Sequence, residues 1–136
     1  MEIGKYFTLE EMTKTSSNLD NTPNEIQLDN LKALVEFILD PIREIYGKPI
    51  TVNSGYRSML VNRRAGGTYS SQHKLGQAAD ITCDDNKKLF EIIKEYCKFD
   101  QLINERNYRW IHVSYNKNKN RNEILKFTGK KYIKLN

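Results

Sequence analysis

Apolar side chains recur at intervals of three and four in the early part of the chain: Ile26, Leu28, Leu31, Leu34, Val35, Ile38, Leu39, Ile42 and Ile45. That spacing lays one apolar stripe along an amphipathic helix, with Pro23 suited to its first helical position. Pro41 falls inside the stripe. It has no N–H to give and crowds the preceding turn, so it should kink the helix or divide it in two. Gly47-Lys48-Pro49 then stops it. Ahead of this helix, Thr8-Leu9-Glu10-Glu11 has the form of a capping box and predicts a short helix. Residues 15–22 are polar turn formers and read as a loop.

The period changes beyond Pro49. Ile50-Thr51-Val52-Asn53 is a short β-branched run that ends at Ser54-Gly55 and delivers Tyr56 and Arg57 to a strand end. Residues 58–64 predict a short helix, residues 65–68 a flexible connection and residues 70–77 a loop. Ala78-Ala79-Asp80-Ile81-Thr82-Cys83 is a second strand, and Asp84-Asp85-Asn86 caps a helix whose stripe is Leu89, Ile92, Ile93 and Tyr96. Residues 100–105 and 110–115 alternate about a turn at residues 106–108, which predicts a hairpin. Residues 122–135 add one or two edge strands. The fold class is therefore α+β, with helices packed on one small, mainly antiparallel sheet.

At 136 residues the chain is the size of one domain, 1–136, with its basic C-terminal strands 106–136 included. No apolar run approaches the ~20 residues that a membrane span needs. The opening Met1-Glu2-Ile3-Gly4-Lys5-Tyr6 lacks the basic and apolar stretches of a secretory signal. Cys83 and Cys97 are too few for a disulfide scaffold and lack zinc-finger spacing, so reduced, packed thiols are expected. Net charge is +5 but uneven: from Arg106 to Asn136 there are nine basic residues and only Glu123 as an acid. A basic end on a mildly acidic body attracts polyanions, whether nucleic acid or the anionic polymers of a cell wall, or simply keeps a solvated hairpin soluble.

The only two histidines each fall beside something unusual. His73 lies in Ser71-Gln72-His73-Lys74-Leu75-Gly76-Gln77-Ala78-Ala79-Asp80, and His112 lies mid-strand in Trp110-Ile111-His112-Val113-Ser114. Two imidazoles and a carboxylate are the ligand set of a catalytic zinc, which keeps a fourth position open for water. Asp80 sits in an apolar strand where an unpaired carboxylate would be costly, and a metal would compensate its charge. Alternation puts Trp110, His112 and Ser114 on one face of their strand.

The pattern Ser71-x-His73-x-x-Gly76-x-Ala78-x-Asp80 followed by Trp110-x-His112 resembles the zinc D-Ala-D-Ala carboxypeptidase family of murein peptidases. Ser54-Gly55-Tyr56-Arg57-Ser58 and the opening Tyr6-Phe7-Thr8-Leu9-Glu10-Glu11-Met12 resemble it too, so the likeness runs from about Tyr6 to Tyr115. The resemblance implies a fold shared with the Hedgehog signalling domain, and one zinc ion held by His73, Asp80 and His112. It implies Arg57 as the arginine that binds the substrate carbonyl or carboxylate, a task suited to a planar, always-charged fork. Ser71 and Gln72 are then candidate substrate-backbone contacts, or residues that only shape the loop. Trp110 and Tyr56 either line the cleft or belong to the core, and Tyr69 is open in the same way.

The family commonly places its general base shortly before the last ligand. Three residues before His112 stands Arg109, which cannot serve, so the resemblance points to Glu105 at the end of the adjoining strand. The expected function is a zinc peptidase acting on peptidoglycan stem peptides, a D-Ala-D-Ala carboxypeptidase or a related murein endopeptidase. It is expected to be monomeric and of the small phage endolysin-like type, released at lysis or carried in a virion, with its basic C-terminal region on an anionic wall polymer. Two rivals are a catalytically inactive wall-binding or phage structural module of the same fold, and a metal-dependent nuclease.

Overall fold

The computed structural model describes all of residues 1–136. Thr8 caps a one-turn helix, α1 (Leu9–Met12), through the reciprocal capping box read from the sequence. The loop that follows runs to Asn24, not to Pro23. Asn24 and Gln27 form a second capping box, so α2 (Glu25–Leu34) starts there and Pro23 lies outside it. The long apolar stripe is divided ahead of Pro41 by a π-helical turn (Val35–Leu39), in which the Asp40 N–H donates to the Val35 carbonyl. The wider turn accommodates the proline ring near the start of α3 (Asp40–Tyr46). Leu31, Leu34, Val35, Ile38, Leu39 and Ile42 are fully buried, whereas Ile26 and Ile45 at the ends of the stripe are exposed.

Six strands form one sheet in the order β1-β2-β4-β3-β5-β6. They are β1 (Thr51–Ser54), β2 (Ala78–Thr82), β3 (Gln101–Glu105), β4 (Trp110–Ser114), β5 (Glu123–Phe127) and β6 (Tyr132–Lys134). The β3–β4 hairpin forms as expected, with Glu105 opposite Trp110. Both C-terminal strands are present, and β5 runs parallel to β3, the one parallel pairing in the sheet. Between β1 and β2 lies α4 (Met59–Arg64), followed by a 3-10 turn (Gln72–Leu75) within the stretch read as loop. Helix α5 (Asn86–Tyr96), capped by Asp85, packs on β3 and β4 through Leu89, Phe90 and Ile93, while Tyr96 of its expected stripe is exposed.

Strand alternation divides the sheet into two faces. Ala79, Ile81, Leu102, Ile111, Val113 and Ile124 point into the core against the helices. The alternate positions Asp80, Ile103, Glu105, Trp110, His112 and Leu125 line a cleft on the opposite face. Cys83 and Cys97 are free thiols beside the core, and burial pushes the Cys97 thiol up to about 11. No helix is long and apolar enough to cross a membrane.

Leu102 is fully buried and Ile26 is 72% exposed. Leu102→Ala should cost about 3 kcal/mol of unfolding free energy in a urea titration, and Ile26→Ala no more than ~0.5 kcal/mol.

Candidate metal centre

The site is assembled where β2 meets β4. Register places Asp80 directly opposite His112, and the His112 Nδ1 lies 2.9 Å from Asp80 Oδ1. On the other side of β2 an extra residue in β1 shifts the pairing, so that Ser54 instead of Asn53 faces Asp80. This bulge re-aims the chain that follows. Ser54 Oγ accepts from Arg57 Nε at 2.8 Å, and the Arg57 Nη2 reaches Asp80 Oδ2 at 3.3 Å. One carboxylate oxygen thus faces the imidazoles and the other faces the guanidinium.

His73 comes from the 3-10 turn, which several neighbours hold in place. Ser71 Oγ accepts from the His73 amide. Gly76 ends the turn at φ 73°, a conformation that suits glycine, and a Cβ there would stand 2.4 Å from the Gln27 carbonyl of α2. The Gln27 and Asn30 side-chain amides donate to the carbonyls of Lys74 and Leu75, fastening α2 to the turn. The His73 Nδ1 donates to the Gly55 carbonyl at 2.7 Å. Gly55 itself lies so close to the end of α1 that a Cβ would stand 2.3 Å from the Met12 carbonyl. The ring orientation of His73 is therefore set by α1, β1 and α2 together.

A carbonyl can only accept, so the His73 proton sits on Nδ1 and Nε2 carries a lone pair. That lone pair lies 3.4 Å from Asp80 Oδ1 in a buried place. Burial pushes the His73 imidazole below its ordinary value, even against the hydrogen bond and charge of Asp80, so a second ring proton is disfavoured. Burial also opposes ionisation of Asp80, but the hydrogen bond from His112 and the adjoining imidazoles outweigh it. Its carboxyl stays well below the usual carboxylate range. Two acceptors facing each other with little exposure to solvent are what a cation would relieve. The three ligand atoms lie within 4.8 Å of one another, and tetrahedral zinc ligands at about 2.0–2.1 Å from the ion stand roughly 3.4 Å apart. The donor set and its spacing fit zinc.

Around this centre the cleft encloses about 620 Å³. Arg57, Ser71, Gln72, Glu105 and Trp110 all line it with the three candidate ligands. Glu105 is 8% exposed, and burial pushes its carboxyl up, with the charge of Asp80 acting the same way. Arg109 lines a different concavity with Arg106 and Lys126. Tyr56 is in the core, and Tyr69 is 89% exposed with the Lys74 ammonium 4.1 Å above its ring. Two asparagines escaped sequence reasoning. Asn21 holds the strand end, donating to the Thr13 and Tyr56 carbonyls and accepting from the Ser58 amide. Buried Asn62 accepts from Arg57 and donates to the Thr68 carbonyl. Neither lies in a recognisable pattern, because Asn21 bridges segments distant in sequence and Asn62 closes an irregular loop.

The family model described as Peptidase M15 matches residues 5–114, which takes in every one of these site residues. The chain belongs to the Peptidase M15 family. It is also 36% identical over 77 residues to a zinc D-Ala-D-Ala carboxypeptidase of Streptomyces albus G, a match covering 55% of this chain and 30% of that protein. The chain thus spans less than a third of the relative that it matches. This member of the M15 family has a His–Asp–His group on the sheet face, and its α+β fold with one mostly antiparallel sheet accords with that membership.

The raised carboxyl of Glu105 has a consequence for stability. Its folded-state value lies above the unfolded one, so the penalty for burying its charge is present in full above the folded value and vanishes below the unfolded one. In metal-free protein Glu105→Gln should therefore raise the urea midpoint at pH 7, and the gain should fade as pH drops to 4. A loss of stability at pH 7 would show that Glu105 is held by a favourable charge interaction instead.

Proposed function

We propose that this M15 peptidase is a zinc enzyme that hydrolyses peptidoglycan stem peptides, as a D-Ala-D-Ala carboxypeptidase or a related murein endopeptidase. The observation that carries the reading is the bare His73 Nε2 facing the Asp80 carboxylate in a buried pocket, with His112 completing the set. A zinc ion bound there would supply a Lewis acid and lower the pKa of water towards 7.

The chain's own residues supply the rest. Arg57 stands at the cleft, fixed by Ser54, Asn62 and Asp80, and its guanidinium holds the oxygen of the scissile carbonyl and its developing negative charge. Glu105, buried but facing the cleft, accepts a proton from the attacking water and returns it to the leaving amine. A carboxyl raised by burial suits that double task, since it is less costly to protonate than an exposed one. Ser71 and Gln72 offer hydrogen bonds to the substrate backbone, and Trp110 walls the cleft. Residues 1–136 act as one domain, and the enzyme meets its substrate outside the cytoplasm, by release at phage lysis or carriage in a virion.

The exposed lysines of the C-terminal strands, Lys126, Lys130, Lys131 and Lys134, provide attachment to an anionic wall polymer. Ile124 of β5 belongs to the core, so charge reversal tests this more cleanly than truncation. The triple change Lys130→Glu, Lys131→Glu and Lys134→Glu should weaken binding to purified sacculi at least ~tenfold at low salt, with the difference shrinking as salt screens it. Equal binding at low salt would discard the attachment role.

Activity is tested by the release of amino groups from sacculi. Glu105→Gln should retain zinc and lose at least ~100-fold in rate. Near-normal turnover by that variant would remove Glu105 from the mechanism. A zinc-loaded wild type that releases nothing would favour the inactive wall-binding module.

A further inference from the structure

The family match ends at residue 114, yet the sheet continues. β5 and β6 lie beyond β3, and they lengthen the floor of the cleft rather than closing it: Leu125 and Tyr132 line it together with Ile103, Glu105 and Trp110. Register runs in a row from Glu105 to Phe127 to Tyr132, so Tyr132 stands on the same face two strands beyond Glu105. Its ring is propped at 4.6 Å against Phe127, which has the Arg106 guanidinium over it. Although propped in this way, Tyr132 is 59% exposed. An aromatic ring propped against Phe127 and left open at the end of a cleft offers a contact surface for a ligand.

The distance gives that surface a meaning. Adjacent strands are about 4.8 Å apart, so from β4, which carries His112, to β6 is three steps, or roughly 14 Å. An extended peptide covers about 3.3–3.6 Å per residue, so a chain running from the metal centre to Tyr132 spans about four residues. A free dipeptide covers only about half of that. The floor between the two ends is aliphatic at Ile103 and Leu125 and aromatic at Tyr132, a lining that accepts the carbon stem of a side chain and leaves its polar end in water. Burial, with the charges of Glu105 and Asp80, pushes the Tyr132 phenol up, so it remains a hydrogen-bond donor at neutral pH.

We propose that β5 and β6 form a length-selecting subsite, so that the preferred substrate is a peptide of four or more residues whose remote part rests on Leu125 and Tyr132. The proposal rests on the peptidase reading above and assigns the part of the stem peptide remote from the metal centre to β5 and β6.

The test uses zinc-loaded Glu105→Gln as a non-hydrolysing binder, with calorimetry of the dipeptide D-Ala-D-Ala and of the stem pentapeptide L-Ala-D-Glu-L-Lys-D-Ala-D-Ala. The pentapeptide should bind at least ~tenfold tighter, about the effect of one well-packed aromatic contact. Adding Tyr132→Ala or Leu125→Ala should cut that ratio below ~threefold, while Tyr132→Phe should keep most of it. Equal affinity for the two peptides, or a ratio untouched by both alanine variants, would overturn the subsite. Hydrolysis by the wild-type protein is measured separately: failure to cleave either peptide would count against the peptidase reading, while the binding ratio alone decides the subsite.

Discussion

A carboxylate set into an apolar strand is the constraint around which this protein is arranged. Asp80 stands between Ala79 and Ile81, both fully buried, and such a position is tolerated only if the charge is met on every side. His112 meets it across the β2–β4 ladder and Arg57 from beyond the β1 bulge, while His73 turns a bare Nε2 to it from the 3-10 turn, the side that a cation would fill. Three of the four groups have no other reason to converge. Each is brought in by a separate device: a strand register, a turn locked by Gly76, and an extra residue in β1.

Much of the remaining structure supports that convergence at some cost. The core face of the sheet is apolar apart from buried Asn104, while the cleft face carries buried polar groups whose ionisation the site itself disturbs. Glu105 is held in a place that opposes its charge, and His73 in a place that opposes a second ring proton. On the proposed reading these are the states that chemistry needs: a carboxyl ready to take a proton, and an imidazole that keeps a lone pair for a metal. Stability given up at the site is supplied by α2, the π-helical turn, α3 and α5 beneath the sheet.

The α+β class, the β3–β4 hairpin and the division of the long helix were legible because each leaves a local mark: a period, a turn, a proline in a stripe. His73, Asp80 and His112 could be singled out because histidine is scarce here and Asp80 interrupts an apolar strand. Helix α2 starts at Glu25 and not at Pro23, because Asn24-x-x-Gln27 forms a capping box that outweighs the preference of proline for a first turn. Other features leave no local trace. The parallel partnership of β5 with β3 is a long-range choice, and the β1 bulge is visible only once its partner strand is known. Asn21 and Asn62 act through contacts 35 to 37 residues away or across a loop, where no spacing rule reaches. Arg109, at the position where the resemblance would put a base, lies outside the cleft, and Glu105 lines it.

The central claim is that His73, Asp80 and His112 together hold one zinc ion. Titration of metal-free protein with zinc by calorimetry, beside the His73→Ala and Asp80→Asn variants, tests it most directly. The account predicts one tight site per chain and loss of that site in both variants. Zinc bound equally well by the variants, or no tight binding by the wild type, would contradict it.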